Sequence, residues 1–193
     1  MKKIFVSLFA VLAVFANNSF ASDEVISLIN ENSVQMLVDS AAPLNLINWK
    51  VGDTANFDVS AGSFGKLGTM VKSVTSEEGN NIWIEQKLDL GFQKDNSKML
   101  MSRADGKILK LIHNGKEEAL PDDKIEIISQ DTQDVTVPAG TFQSIHIVAK
   151  TAKVKKIEAW MNPRDTVMEG AIKQIISTDQ VDITLELASF NRN

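Results

Sequence analysis

Apolar and polar positions keep two different rhythms along this chain. Between Asp23 and about Ala41 the apolar residues Val25, Ile29, Val34, Leu37 and Val38 fall roughly along one stripe, which predicts an amphipathic helix over 23–41. Ser22 can cap it, Asp23 and Glu24 suit the positive end of its dipole, and Pro43 follows its stop. From Trp49 onward the period drops to two. One face of the stretch 82–90 carries Ile82, Ile84, Leu88 and Leu90, and the other carries Trp83, Glu85, Lys87 and Asp89. Such alternation marks a half-buried strand. Val181 to Leu187 repeats it more cleanly, and Lys124 to Ile128, Ser144 to Lys150 and Ile157 to Met161 give shorter versions.

Turn residues separate these runs: Ser76-Glu77-Glu78-Gly79-Asn80-Asn81, Asp105-Gly106, Asn114-Gly115 and Pro121-Asp122-Asp123. Asp-Gly and Asn-Gly supply the positive φ angles of tight hairpins, so neighbouring strands are expected to run antiparallel. The templates predict about ten strands, near 54–60, 66–75, 82–90, 98–103, 107–113, 116–120, 124–137, 142–152, 155–162 and 180–190. Residues 163–178 read as a loop with room for a short strand: Thr166-x-x-Glu169 has capping-box spacing, but Gly170 follows at once. The expected fold class is mainly β with one N-terminal helix, a curled antiparallel half-barrel or barrel of about ten strands covered by that helix.

The first residues change where this domain is expected to work. Lys2-Lys3, thirteen residues from Ile4 to Ala16, and small residues at Ser19 and Ala21 read as a cleavable secretory signal over 1–21. A bilayer-crossing helix needs about 20 apolar residues, so no anchor is expected after cleavage and a periplasmic location is. Residues 22–193 then form a single domain. Cleavage removes two lysines and no acid, taking the net charge from −5 to −7. That balance excludes nucleic acid as a partner, because phosphate backbones need a basic face. The absence of cysteine removes disulfides, thiolate metal sites and the acylated cysteine of a bacterial lipoprotein.

No constellation for catalysis can be read from spacing, and the chain is expected to be non-enzymatic, with no metal and no cofactor. His113 and His146 each lie in a predicted strand, without the close acid or histidine spacing of a zinc or triad site. Glu77-Glu78, Glu117-Glu118 and Asp122-Asp123 fall in predicted turns, where acids are commonly solvated. Lys150, Lys153, Lys155 and Lys156 form the one basic cluster. They could meet lipid headgroups, or they could guard an edge strand against aggregation. Met99, Met101, Met161, Met168, Met36 and Met70 give flexible thioethers suited either to an adaptable apolar cavity or to an ordinary core. Strand alternation places Trp83 and Trp160 opposite the apolar face.

Three stretches resemble a set of exported bacterial β proteins that includes the DUF3108-type group. They are Trp49-Lys50-Val51-Gly52-Asp53-Thr54-Ala55-Asn56-Phe57-Asp58-Val59, the turn Val135-Thr136-Val137-Pro138-Ala139-Gly140-Thr141-Phe142, and Glu158-Ala159-Trp160-Met161-Asn162-Pro163 with Gly170-Ala171-Ile172-Lys173 and the closing strand Leu185-Glu186-Leu187. Those proteins are similar in architecture to the lipoprotein-carrier (LolA and LolB) fold, a curled antiparallel sheet around an apolar cavity plugged by helices. The resemblance implies a cavity for a lipid or other hydrophobic ligand, approached by Met36, Leu37, Met99 and Met101. A second expectation comes from a different class: an envelope scaffold binding another protein through an exposed strand edge or apolar face.

Overall fold

The computed structural model describes residues 49–120, 125–151, 154–178 and 181–193. They build one antiparallel sheet of eleven strands: β1 (Thr54–Ala61), β2 (Lys66–Glu78), β3 (Asn81–Asp89), β4 (Lys94–Ser102), β5 (Ile108–His113), β6 (Lys116–Glu118), β7 (Glu126–Val137), β8 (Gly140–Lys150), β9 (Lys156–Met161), β10 (Ala171–Ser177) and β11 (Asp182–Asn191). The spatial order is β6-β5-β4-β3-β2-β1-β11-β10-β9-β8-β7. Two meanders are thus joined where the last strand returns to lie beside the first.

The expected helix-covered barrel or half-barrel of about ten strands is corrected on three points. The sheet is not closed into a barrel, it has eleven strands, and among the described residues it contains no α-helix. The segment 23–41, with Met36 and Leu37, lies outside the described residues. Closure fails for a physical reason: the two edges do not match. β6 offers three residues, Lys116, Glu117 and Glu118, all exposed and charged, whereas β7 offers twelve. The additional strand is β10, whose alternation is interrupted by Gln174 in the apolar phase.

Register lines up the apolar phases. On the face that becomes the interior, Leu187, Phe57, Met70 and Leu88 stand opposite one another across β11, β1, β2 and β3. Ile147, Ala159, Gln174 and Leu185 do the same across β8 to β11. The sheet curls so that these rows join one core, with Ile82, Ala149, Ile157, Ile172 and Ile176 wholly buried. At about 25 cal/mol per Å² of apolar area, this shared interior is the main stabilising term of the fold. The Asn114-Gly115 reversal between β5 and β6 has φ of 48° and 81°, the positive pair a two-residue hairpin needs.

The outer face carries the other phase. Asp131, His146, Trp160, Lys173 and Glu186 sit opposite one another across β7 to β11. His146 Nδ1 is 2.9 Å from Asp131 Oδ1, and the His146 ring stacks on Trp160 at 4.5 Å. Lys173 bonds Glu186 at 2.8 Å. Trp83 also lies on the phase opposite the core, and its indole N–H donates to Glu78 at 2.9 Å.

Candidate functional site

Polar side chains interrupt the apolar phase of four consecutive strands. Lys72 on β2 faces Gln86 on β3, Gln86 faces Ser97 on β4, and Ser97 faces His113 on β5. Lys72, Gln86 and Ser97 are each 1% exposed, and Asp95, two residues from Ser97 on the same face, is 5% exposed. The row runs between apolar rows: Met70 and Leu88 lie on one side, Val74, Ile84, Met99 and Leu111 on the other.

Lys72 is matched by Glu169, whose carboxylate bonds its ammonium in a pair buried on both sides. Glu169 belongs to the loop 162–170 between β9 and β10. From β10 to β2 there are three strand spacings, about 14 Å along the sheet, so the loop must cross the inner face to reach Lys72. Local chemistry makes that possible. Asn162 Oδ1 accepts the backbone N–H groups of Arg164 and Asp165 at 3.1 and 3.0 Å, and Thr166 Oγ1 donates to the Asn162 carbonyl at 2.7 Å. Arg192, near the end of the chain, donates to the carbonyls of Arg164 and Thr166. The Asn162 N–H closes the loop on the Gly170 carbonyl at 2.7 Å. Gly170 has φ +76°, and a Cβ there would stand 2.2 Å from the Pro163 nitrogen, so only glycine fits. Met168 is held at φ +51°, a left-handed conformation costing a side-chain-bearing residue about 1–2 kcal/mol. The capping-box spacing of Thr166 and Glu169 therefore starts no helix. It delivers a buried acid instead.

At the other end of the row, His113 is gripped by two carboxylates, Asp95 on Nε2 and Glu118 on Nδ1 at 3.1 Å. Ser97 Oγ donates to Asp95 Oδ2 at 3.3 Å, and Asn114 Nδ2 donates to Asp95 Oδ1 at 2.9 Å. Burial pulls the His113 pKa down, but its bonds to Asp95 and Glu118 outweigh that and hold it above the ordinary value. The acid stands between hydroxyl and imidazole. Nucleophilic activation of a serine requires the imidazole in that middle place, so the cluster ties β4, β5 and β6 together. Among the described residues no group of three or more acids or histidines is arranged to hold a metal ion.

Of the residues expected at a ligand site, Met99 and Met101 lie on the inner face of β4. Met99 stands opposite Ile84 and Leu111, and Met101 opposite Ile82 and Ile108; both are buried. In the basic cluster, Lys150 bonds Glu126 at 3.2 Å and Lys156 bonds Glu158 at 2.8 Å, so part of its charge is matched. Lys155 is exposed, and Lys153 lies outside the described residues. Asp122-Asp123 lies outside them as well. Glu77-Glu78 and Glu117-Glu118 are strand residues rather than turn residues. Lys72, Gln86, Asp95, Ser97 and Gln174 were not expected at a site. The signal for them is a polar residue in the apolar phase, repeated on neighbouring strands.

No family model and no curated protein matches the chain. Membership of the DUF3108-type group is therefore not shown, and neither is a lipoprotein-carrier relationship. Solved structures that superpose on part of the chain do exist. One is a protein from Parabacteroides distasonis assigned as a lipoprotein, with TM-score 0.47 and 10% identity over 76% of this chain and 98% of that one. Another is a protein from Bacteroides fragilis assigned as exported, with a YmcC-like fold, TM-score 0.43 and 9% identity over 75% and 97%. A third is a hypothetical protein from Chlamydia trachomatis, with TM-score 0.49 and 11% identity over 77% and 90%.

Proposed function

We propose that this is a non-enzymatic protein of the bacterial envelope that holds a lipid or other acyl compound against the inner face of its curled sheet. The observation that carries the reading is the set of polar side chains buried on a mainly apolar inner face: the Lys72–Glu169 pair, brought there by a loop that holds Met168 at positive φ, and Gln174. Stability alone does not favour such a pair, since apolar residues of similar volume often do as well or better. Polar groups converging in an apolar interior are what recognition of an amphiphile uses. Burying each methylene contributes about 0.8 kcal/mol, so a long acyl chain supplies ample driving force. Protein expressed with its leader and purified from the periplasm is expected to carry acyl compounds, detected by native mass spectrometry and lipid extraction. A clean apo mass with nothing extractable overturns the reading.

One observation favours a second reading, docking of another envelope protein at a strand edge. Among the described residues β7 pairs with β8 on one side alone, and every residue from Glu126 to Asp134 is exposed, with Ile127 and Ile128 at 42% and 56%. A bulge at Ile128 and the acids Asp131 and Asp134 discourage indiscriminate pairing. A photo-crosslinking residue in place of Ile128 is expected to trap one defined envelope protein in vivo if the edge docks a partner. Diffuse or absent adducts count against docking.

A further inference from the structure

Gln174 stands in the middle of β10 on the inner face, opposite Ala159 of β9 and Leu185 of β11 and flanked along its own strand by Ile172 and Ile176. All four neighbours are apolar and buried. Gln174 is 7% exposed, and its amide nitrogen Nε2 has no hydrogen-bond partner among the described residues. A buried amide donor without an acceptor loses its hydration and regains nothing from the protein. The position would suit leucine or isoleucine, as at 172 and 176, so glutamine here calls for an acceptor that the described residues do not supply.

The surroundings define that acceptor. These four neighbours carry no charge, and the buried lysine on the same face, Lys72, is matched by Glu169. A carboxylate placed beside Gln174 would be buried without a cation, which is costly, whereas a neutral carbonyl oxygen asks only for the N–H. We propose that Gln174 donates to the uncharged carbonyl oxygen of an acyl ester or amide whose hydrocarbon lies along Ile172, Ile176, Ala159 and Leu185. This rests on the reading of the inner face as an acyl site and names the ligand class for it.

The test compares wild-type protein with Gln174→Leu, and with Gln174→Met as a second apolar variant of similar length. Each is titrated with a long-chain methyl ester, the N-methyl amide, the free fatty acid and the alkane of equal length, delivered from cyclodextrin. Native mass spectrometry reads binding, and thermal unfolding is recorded alongside. Wild type is expected to prefer ester or amide over acid and alkane by about three- to tenfold, the worth of one hydrogen bond. The variants are expected to lose that preference while melting at a higher temperature, a combination a merely structural glutamine would not give. If wild type and variants bind all four compounds alike, Gln174 holds a structural water only and this inference falls, while the acyl site stands. Preference for the free acid also overturns it. Binding of none of the four by wild type removes both.

Discussion

The two wings of the sheet treat interior polar groups differently. In the wing β2 to β5, each polar side chain on the inner face has a partner within the protein: Lys72 has Glu169, Ser97 has Asp95, Asp95 has His113, and Gln86 is likewise engaged. In the wing β9 to β11, Gln174 buries its amide nitrogen with none among the described residues. Satisfied polar groups inside an apolar interior rigidify and fix one arrangement. An unsatisfied one at similar depth stores a cost that something outside the chain can relieve. The difference separates a wing whose interior polar groups are matched from a wing with one donor left unmatched among the described residues.

The largest effect that could break this contrast lies at the ion pair. Glu169→Ala leaves Lys72 buried without its anion and is expected to cost about 3–5 kcal/mol in urea or guanidinium unfolding, because breaking a buried pair strands the remaining charge. Replacing both partners, as Lys72→Met with Glu169→Leu, is expected to be close to neutral or stabilising by up to about 4 kcal/mol. The signature is the non-additivity, with the double variant far more stable than the single one. If both lose equally, the pair is not self-contained and the β2 to β5 wing is no more satisfied than its counterpart.

Ten of the eleven strands were legible because alternation and turn chemistry agree along most of the chain. Ile82, Ile84, Leu88 and Leu90 mark β3, and Asn114-Gly115 marks the reversal into β6. β10 was obscured by the residue that makes it interesting: Gln174 breaks the apolar phase, and Gly170 before it looks like loop. The loop before β10 was legible as a loop, but its inward path was not: the Asn162 side chain and the left-handed Met168 and Gly170 turn the backbone toward Lys72, and nothing in the spacing of Thr166 and Glu169 announces that. Failure to close into a barrel was not legible, since the length mismatch between β6 and β7 appears only once strand order places them at opposite edges. The interior polar row was readable in part. Gln86 occupies the apolar phase of β3 and Lys72 that of β2, but Glu169 lies 97 residues from Lys72, and only curvature of the sheet joins them.

A subtler effect sharpens the contrast through pH. The satisfaction of β4, β5 and β6 depends on a proton, because His113 bonds Asp95 and Glu118 most strongly as a cation. Burial disfavours that charge, yet the two carboxylates more than compensate, and the folded-state pKa lies above its ordinary value of 6.5. A group whose pKa is raised by folding contributes its full stabilisation below the unfolded value and loses it as pH rises through the folded one. Wild-type protein is therefore expected to lose stability from about pH 6.5 upward, and His113→Gln is expected to remove this component of the slope while being less stable than wild type at pH 6. The loss is expected to be local: backbone amides of β5 and β6, after correction for the intrinsic pH dependence of exchange, should lose hydrogen-exchange protection as the imidazole deprotonates. Those of β10 and β11 should not follow. Uniform loss across both wings, or a slope unchanged in His113→Gln, would mean that the imidazole does not hold this edge and that the satisfied wing owes its order to packing alone.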